Sequence, residues 1–205
     1  MSDILCVTSR RLCKEDFLTR IEKIAAARPK GIILREKDLS RQEYTSLAQK
    51  VFDVCRPYQV PCILHSFVKT ALWLHAKAIH LPLPLLKTLT EEEKQRFDVI
   101  GVSCHCVKEA KKASQLGCSY LTVGHIFNTD CKKGISGKGV SFLKEIVRES
   151  NLPVYAIGGI CEQNINQIRA TGAAGACVMS LLMQCADVSG CLRNLEKPEE
   201  SHGIS

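Results

Sequence analysis

Along this chain, short apolar runs alternate with longer stretches in which apolar residues recur every three or four positions. The short runs are Ile4–Thr8, Gly31–Leu34, Cys62–Leu64, Ala78–Leu81, Val99–Ser103, Tyr120–Val123, Val154–Ile157 and Ala176–Met179. They are rich in β-branched and aliphatic residues and do not alternate with polar ones, as expected of parallel strands buried on both faces. Between them, Glu15–Arg28 carries Phe17, Leu18, Ile21, Ile24 and Ala25 at helical spacing. Gln42–Cys55 does the same with Tyr44, Leu47, Ala48, Val51 and Phe52, and Val107–Leu116, Val140–Glu149 and Gln163–Thr171 follow suit. Pro82 and Pro84 interrupt the pattern after Leu81, and a short helix is expected near Glu91–Gln95.

Strands alternating with helices predict an α/β fold, a single (β/α)8 barrel closed by its eight strands. An open doubly wound sheet is the alternative, but the first strand-to-helix connection, Thr8–Lys14, lacks the glycine-rich dinucleotide fingerprint. The 205 residues suffice for one well-buried core and not two. Residues 1–195 are expected to form the barrel, and 196–205 a polar, frayed tail.

Composition narrows the function. No apolar run approaches the roughly 20 residues of a membrane-spanning helix, and the start of the chain lacks a signal-peptide pattern, which predicts a cytoplasmic protein. The net charge of +7 is spread along the chain, and only 5% of residues are aromatic, so a nucleic-acid partner is not expected. A small anionic molecule is. The 12 cysteines fall largely within apolar runs and read as reduced, buried thiols. Cys104-His105-Cys106 has no second matching pair, so a zinc site is not expected.

In such barrels chemistry gathers where the strands end. Reading round, those places hold Arg35-Glu36-Lys37, His65-Ser66, Ser103-Cys104-His105, Gly124-His125, Gly158-Gly159 and Met179-Ser180. Two glycines let backbone amides approach a ligand closely. A helix beginning just after Met179-Ser180 would add further amides, so Gly158, Gly159, Met179 and Ser180 are expected to hold a phosphate. The long loop from Gly124 to Gly139 is glycine- and lysine-rich, and Lys132 and Lys133 on it suit a lid over an anion.

The segments LREK at 34–37, GVSCH at 101–105, YLTVGHIF at 120–127, AIGGI at 156–160 and VMS at 178–180, in this order, resemble the thiamin phosphate synthase and TenI (thiazole tautomerase) superfamily. The resemblance covers nearly the whole chain and implies the same barrel. The synthase branch joins a pyrimidine pyrophosphate to a thiazole phosphate, with magnesium held by aspartates after strands three and four. Here those places read His65-Ser66-Phe67 and Pro82-Leu83-Pro84-Leu85, without a carboxylate, while Gly124-His125-Ile126-Phe127-Asn128-Thr129-Asp130-Cys131-Lys132-Lys133-Gly134 resembles the tautomerase branch.

The resemblance therefore implies a thiazole tautomerase, an isomerase that needs no metal or cofactor and aromatises a carboxythiazole phosphate by a proton shift. It places the catalytic histidine at His125. With an unperturbed pKa of about 6.5, a histidine can take and return a proton at neutral pH, and His105 is the second acid–base candidate. Arg35 and Lys37 are expected to hold the substrate carboxylate, with Ser103 donating a hydrogen bond to it. The alternatives are thiamin phosphate synthase, which would require magnesium, a regulatory protein that binds thiazole phosphate without turnover, and another phosphosugar isomerase. The partner is in each case a small phosphorylated molecule, and a homodimer is the default assembly for such barrels.

Overall fold

The computed structural model describes residues 2–130 and 134–197. Eight parallel strands close into a barrel in sequence order, β1 (Ile4–Val7), β2 (Gly31–Leu34), β3 (Cys62–His65), β4 (Ala78–Pro82), β5 (Val99–Cys104), β6 (Tyr120–Gly124), β7 (Val154–Ile157) and β8 (Gly175–Val178), with β8 pairing back to β1. Around them lie α1 (Phe17–Ala26), α2 (Arg41–Cys55), α3 (Val68–Trp73), α4 (Leu83–Leu86), α5 (Glu91–Gln95), α6 (Val107–Gln115), α7 (Gly139–Glu149), α8 (Ile165–Arg169), α9 (Ser180–Gln184) and α10 (Val188–Glu196).

Alternate residues of each strand serve two cores. Leu5, Val7, Ile33, Ile63, Tyr120, Tyr155 and Cys177 fill the barrel, while Ile4, Cys6, Ile32, Leu34, Leu121 and Val123 pack outward under the helices. Both sets are buried, which explains why the strands read as unbroken apolar runs. The helices begin where the sequence supplies caps. Ser40 and Glu43 form a reciprocal capping box at α2, Thr90 and Glu93 form another at α5, and the Asp16 side chain accepts from the Thr19 amide at α1.

The structure adjusts several expected boundaries. β3, β4, β5 and β6 each run one residue further toward the mouth than the apolar runs indicate, to His65, Pro82, Cys104 and Gly124, so polar residues enter the sheet itself. Pro82 and Pro84 do not break the chain into a loop. Pro82 caps α4 and Pro84 sits in its first turn, where a missing N–H costs nothing. The closing helix is α10, capped by the Asp187 carboxylate, which accepts from the Gly190 amide at 2.8 Å. The buried Arg20 ties this end to α1, donating to the Cys185 carbonyl at 2.8 Å while pairing with Glu15 at 2.8 Å. Glu196, expected in the tail, ends α10, and residues 198–205 lie outside the described residues. No described helix is long and apolar enough to cross a membrane.

Candidate active site at the barrel mouth

The ends of β1 and β2 are joined by a buried carboxylate. Glu36 accepts from the Thr8 hydroxyl at 2.7 Å and, on both oxygens, from the Arg10 amide at 3.1 Å; Thr8 in turn accepts from the Arg35 amide at 2.9 Å. Burial raises the Glu36 pKa more than these bonds lower it. Asp38 pairs with Arg10 at 2.8 Å and with Arg11 at 3.2 Å. Both acids flanking Arg35 and Lys37 are thus engaged by other arginines, and Arg35 lies half-buried and Lys37 exposed on the same rim.

Beside them, His65 and His80 stack with ring centroids 5.7 Å apart. Burial pushes the His65 pKa down to about 3, with His80, Lys37 and Arg35 adding repulsion, and burial alone takes His80 to about 3. Both imidazoles are therefore neutral at physiological pH. The two folded-state pKa values lie below the unfolded value, so as pH falls from about 6.5 toward 3 the unfolded chain binds protons that the native state refuses, and stability is lost in that window. Each histidine is expected to contribute up to about 1.4 kcal/mol per pH unit there. Urea titrations at pH 7, 5 and 4 check this: His65→Asn should flatten the acid slope by close to one proton, and an unchanged slope would refute the assignment.

His80 belongs to a polar cluster inside the barrel that the sequence analysis did not single out. Its Nδ1 lies 3.0 Å from the Tyr120 hydroxyl and its Nε2 lies 2.8 Å from Ser103 Oγ; the Thr122 hydroxyl donates to Ser103 at 3.2 Å. The discoverable signal was parity, because Tyr120 and Thr122 lie two apart on the inward face of β6, a polar pair in a strand otherwise apolar.

On the opposite flank, His125 follows a cis Gly124–His125 peptide and is only 5% exposed. Its Nε2 lies 3.1 Å from the Ile135 carbonyl, so this nitrogen carries the hydrogen; Nδ1 is buried, with no hydrogen-bond partner among the described residues. The imidazole thus fastens the following loop, with the Lys138 amide donating to the His125 carbonyl at 2.9 Å. His105 is exposed, its Nδ1 3.1 Å from the Gly124 carbonyl, and its backbone carbonyl accepts from the Lys138 ammonium. The two histidines are brought together around one peptide, with each ring bonded to a backbone carbonyl. Cys104 is fully buried, its thiol pushed up to about 12, whereas Cys106 is exposed, so the two thiols of this tripeptide occupy opposite environments.

The two glycines after β7 adopt backbone conformations that other residues rarely take. Gly158 has φ +102° and Gly159 φ +67°. Met179 stands at the start of α9 and Ser180 is its first residue; α9 has five residues, so its contribution is one turn of amides and not an extended dipole. A cavity of about 900 Å³ opens here, bounded by Asn128, Ile135, Gly159, Ile160, Ser180 and Gln184 among others. It includes two of the four expected phosphate residues, Gly159 and Ser180, and residues 128–130 and 134–136 of the loop, but not Arg35, Ser103 or His125. Lys132 and Lys133, expected on the lid, lie outside the described residues.

Three comparisons bear on this site. The sequence profile of a family described as thiamine monophosphate synthase matches residues 4–182. Thiamine-phosphate synthase of Syntrophomonas wolfei is 33% identical over 198 residues, 93% of each chain, and that of Lacticaseibacillus paracasei is 36% identical over 179 residues, 83% of this chain and 82% of its own. A thiamine phosphate pyrophosphorylase from Pyrococcus furiosus superposes with a TM-score of 0.80 at 25% identity, over 94% of this chain and 92% of that one. These findings correct the expected tautomerase, and with it the isomerase class: relatives sharing about a third of their residues along nearly the full length are named synthases, which are transferases.

Proposed function

Because this chain belongs to the thiamine monophosphate synthase family, we propose that it is a transferase that joins a pyrimidine pyrophosphate to a thiazole phosphate. Likeness to thiamine-phosphate synthases over nine-tenths of the chain carries this reading. Such a reaction forms a carbon–nitrogen bond, breaks a carbon–oxygen bond and expels pyrophosphate. It withdraws no proton from carbon. The mouth is compatible with that demand: the His80 ring is bonded at both nitrogens, to Tyr120 and Ser103, His65 is bonded to Ser66 at 2.8 Å, and His125 is held through Nε2 by the Ile135 carbonyl.

The thiazole phosphate would rest on the Gly158, Gly159 and Ser180 amides. Arg35 and Lys37 would draw the pyrophosphate to the rim of β2 and stabilise the charge it gains on leaving, and Ser103 would donate to one of its oxygens. Magnesium is the family's expected helper, and the side chains here do not fit it as a resident ion. Hard oxygen donors are needed, yet β3 and β4 end in His65-Ser66 and Pro82-Leu83, Glu36 and Asp38 are bound to arginines, and among the described residues no group of three or more metal-capable side chains assembles. This missing acid set favours one second reading, a protein that binds thiazole phosphate without turnover.

Thiamine phosphate formation from the two substrates, measured with and without magnesium, separates the readings. Product in either arm is expected. Thiazole phosphate binding with no product in both arms would leave only the second reading.

A further inference from the structure

Rows of paired residues across β4, β5 and β6 explain why the polar cluster exists. One row reads His80, Gly101, Tyr120, and the next toward the mouth reads Pro82, Ser103, Thr122. Because Gly101 has no side chain, His80 and Tyr120 reach each other over it. A Cβ built there would lie 2.1 Å from the Tyr120 ring, 2.4 Å from its hydroxyl and 2.5 Å from His80 Nδ1. The contact is therefore shaped by three strands, and its product is delivered to Ser103, half-buried at the mouth end of β5.

We infer that Tyr120 and His80 form a one-way hydrogen-bond relay that makes Ser103 an obligatory donor into the barrel mouth, selecting a ligand that offers an acceptor oxygen there. Tyr120 and His80 are positioning residues, acting through Ser103. The direction follows from satisfying every hydrogen. Among the described residues the Tyr120 hydroxyl bonds only His80, and burial raises its pKa, so it stays protonated and must donate to Nδ1. The neutral His80 then carries its single hydrogen on Nε2, 2.8 Å from Ser103 Oγ. Thr122 Oγ1 lies 3.3 Å from the same nitrogen, the longer branch of this bond, and the Thr122 hydroxyl donates to Ser103 Oγ at 3.2 Å. With both lone pairs of Ser103 occupied, its own hydrogen has no acceptor among the described residues and is left for a ligand at the mouth. The reverse direction would have Ser103 donate to Nε2 and His80 donate to Tyr120, which would strand a buried phenolic hydrogen.

The identity of the ligand as pyrophosphate rests on the transferase reading, but the direction of the relay does not. The tests separate the two. In the 15N-histidine-labelled protein, long-range 1H–15N spectra should show His80 protonated at Nε2 and bare at Nδ1. Tyr120→Phe, which keeps the ring, should weaken that preference. Inorganic pyrophosphate titrated calorimetrically should bind Ser103→Ala and Tyr120→Phe each about 5- to 10-fold more weakly, as expected for loss or misdirection of one hydrogen bond. Tyr120→Phe added to Ser103→Ala should cost nothing further, because the phenol acts only through the serine. A merely structural tyrosine would instead add its own cost in both backgrounds. His80 protonated at Nδ1, or additive losses, would overturn the relay. Failure of the wild type to bind pyrophosphate would overturn the ligand assignment, whatever the tautomer. Absence of thiamine phosphate in the synthase assay, with the relay results as expected, would count against the transferase reading alone.

Discussion

Alanine at Gly158 is expected to destabilise the protein by about 2–4 kcal/mol and to raise the dissociation constant for thiazole phosphate by two orders of magnitude. The backbone there has φ +102°, a region that side chains strain to occupy. Space adds a second penalty. The new Cβ would sit 2.2 Å from His125 Cβ and 2.8 Å from His125 Cα, a collision with backbone that no rotamer change relieves. The neighbouring strand end cannot yield alone, because the Ile126 amide donates to the Ile157 carbonyl and the Phe127 amide to the Gly158 carbonyl, each at 3.0 Å. Any shift at Gly158 must therefore move both the glycine amides and the loop that borders the cavity. Gly117→Ala is the control: it has φ +83° but nothing within 4 Å of the added carbon, so only conformational strain of about 1 kcal/mol applies. Urea unfolding and phosphate-ester calorimetry on both variants check the pair. A Gly158 variant with the stability and affinity of Gly117→Ala would remove the cradle from this site.

The barrel was legible because its strands are buried on both faces, and an unbroken run such as Gly31-Ile32-Ile33-Leu34 has few other uses in a chain of this length. Strand ends were less legible. His65, Pro82 and Gly124 do not look like strand residues, yet pairing with neighbours extends the sheet to include them. The short helices α3 and α4 escaped because each has too few residues to show a period, and the prolines at α4 read as breaks when they mark a beginning.

The site was legible as a list of strand ends and not as a set of contacts. His125 stood out as a motif, but its ring could be known to face Ile135 only once the loop was folded against it. The tautomerase expectation came from weighing that histidine and two missing acids above the likeness of the whole chain, and the named relatives reverse that weight. His80 was not legible as a site residue because one histidine in an apolar run gives no clue to its partners. Those partners are 23 and 40 residues away, and only the register across three strands joins them.

That register makes Gly101→Ala a severe substitution in the barrel interior. The carbon would fall within 2.5 Å of both rings of the relay, so His80 and Tyr120 must part. Parting leaves a buried phenol and a buried imidazole nitrogen unpaired, at about 1–3 kcal/mol each, and the rings have little room to retreat. Tyr120 packs edge-on against Tyr155 with centroids 5.6 Å apart, and His80 against His65 at 5.7 Å. With overpacking added, the expected loss is about 3–6 kcal/mol, enough to unfold a domain of ordinary stability in part. The double variant Gly101→Ala with Tyr120→Ala tests the cause, because deleting the phenol opens the space that the new methyl requires. It should be no less stable than Tyr120→Ala alone, even though one more side-chain atom has been added to the core. If the two losses simply add, Gly101 is needed for a reason other than the bridge above it, and the packing account of the His80–Tyr120 contact fails.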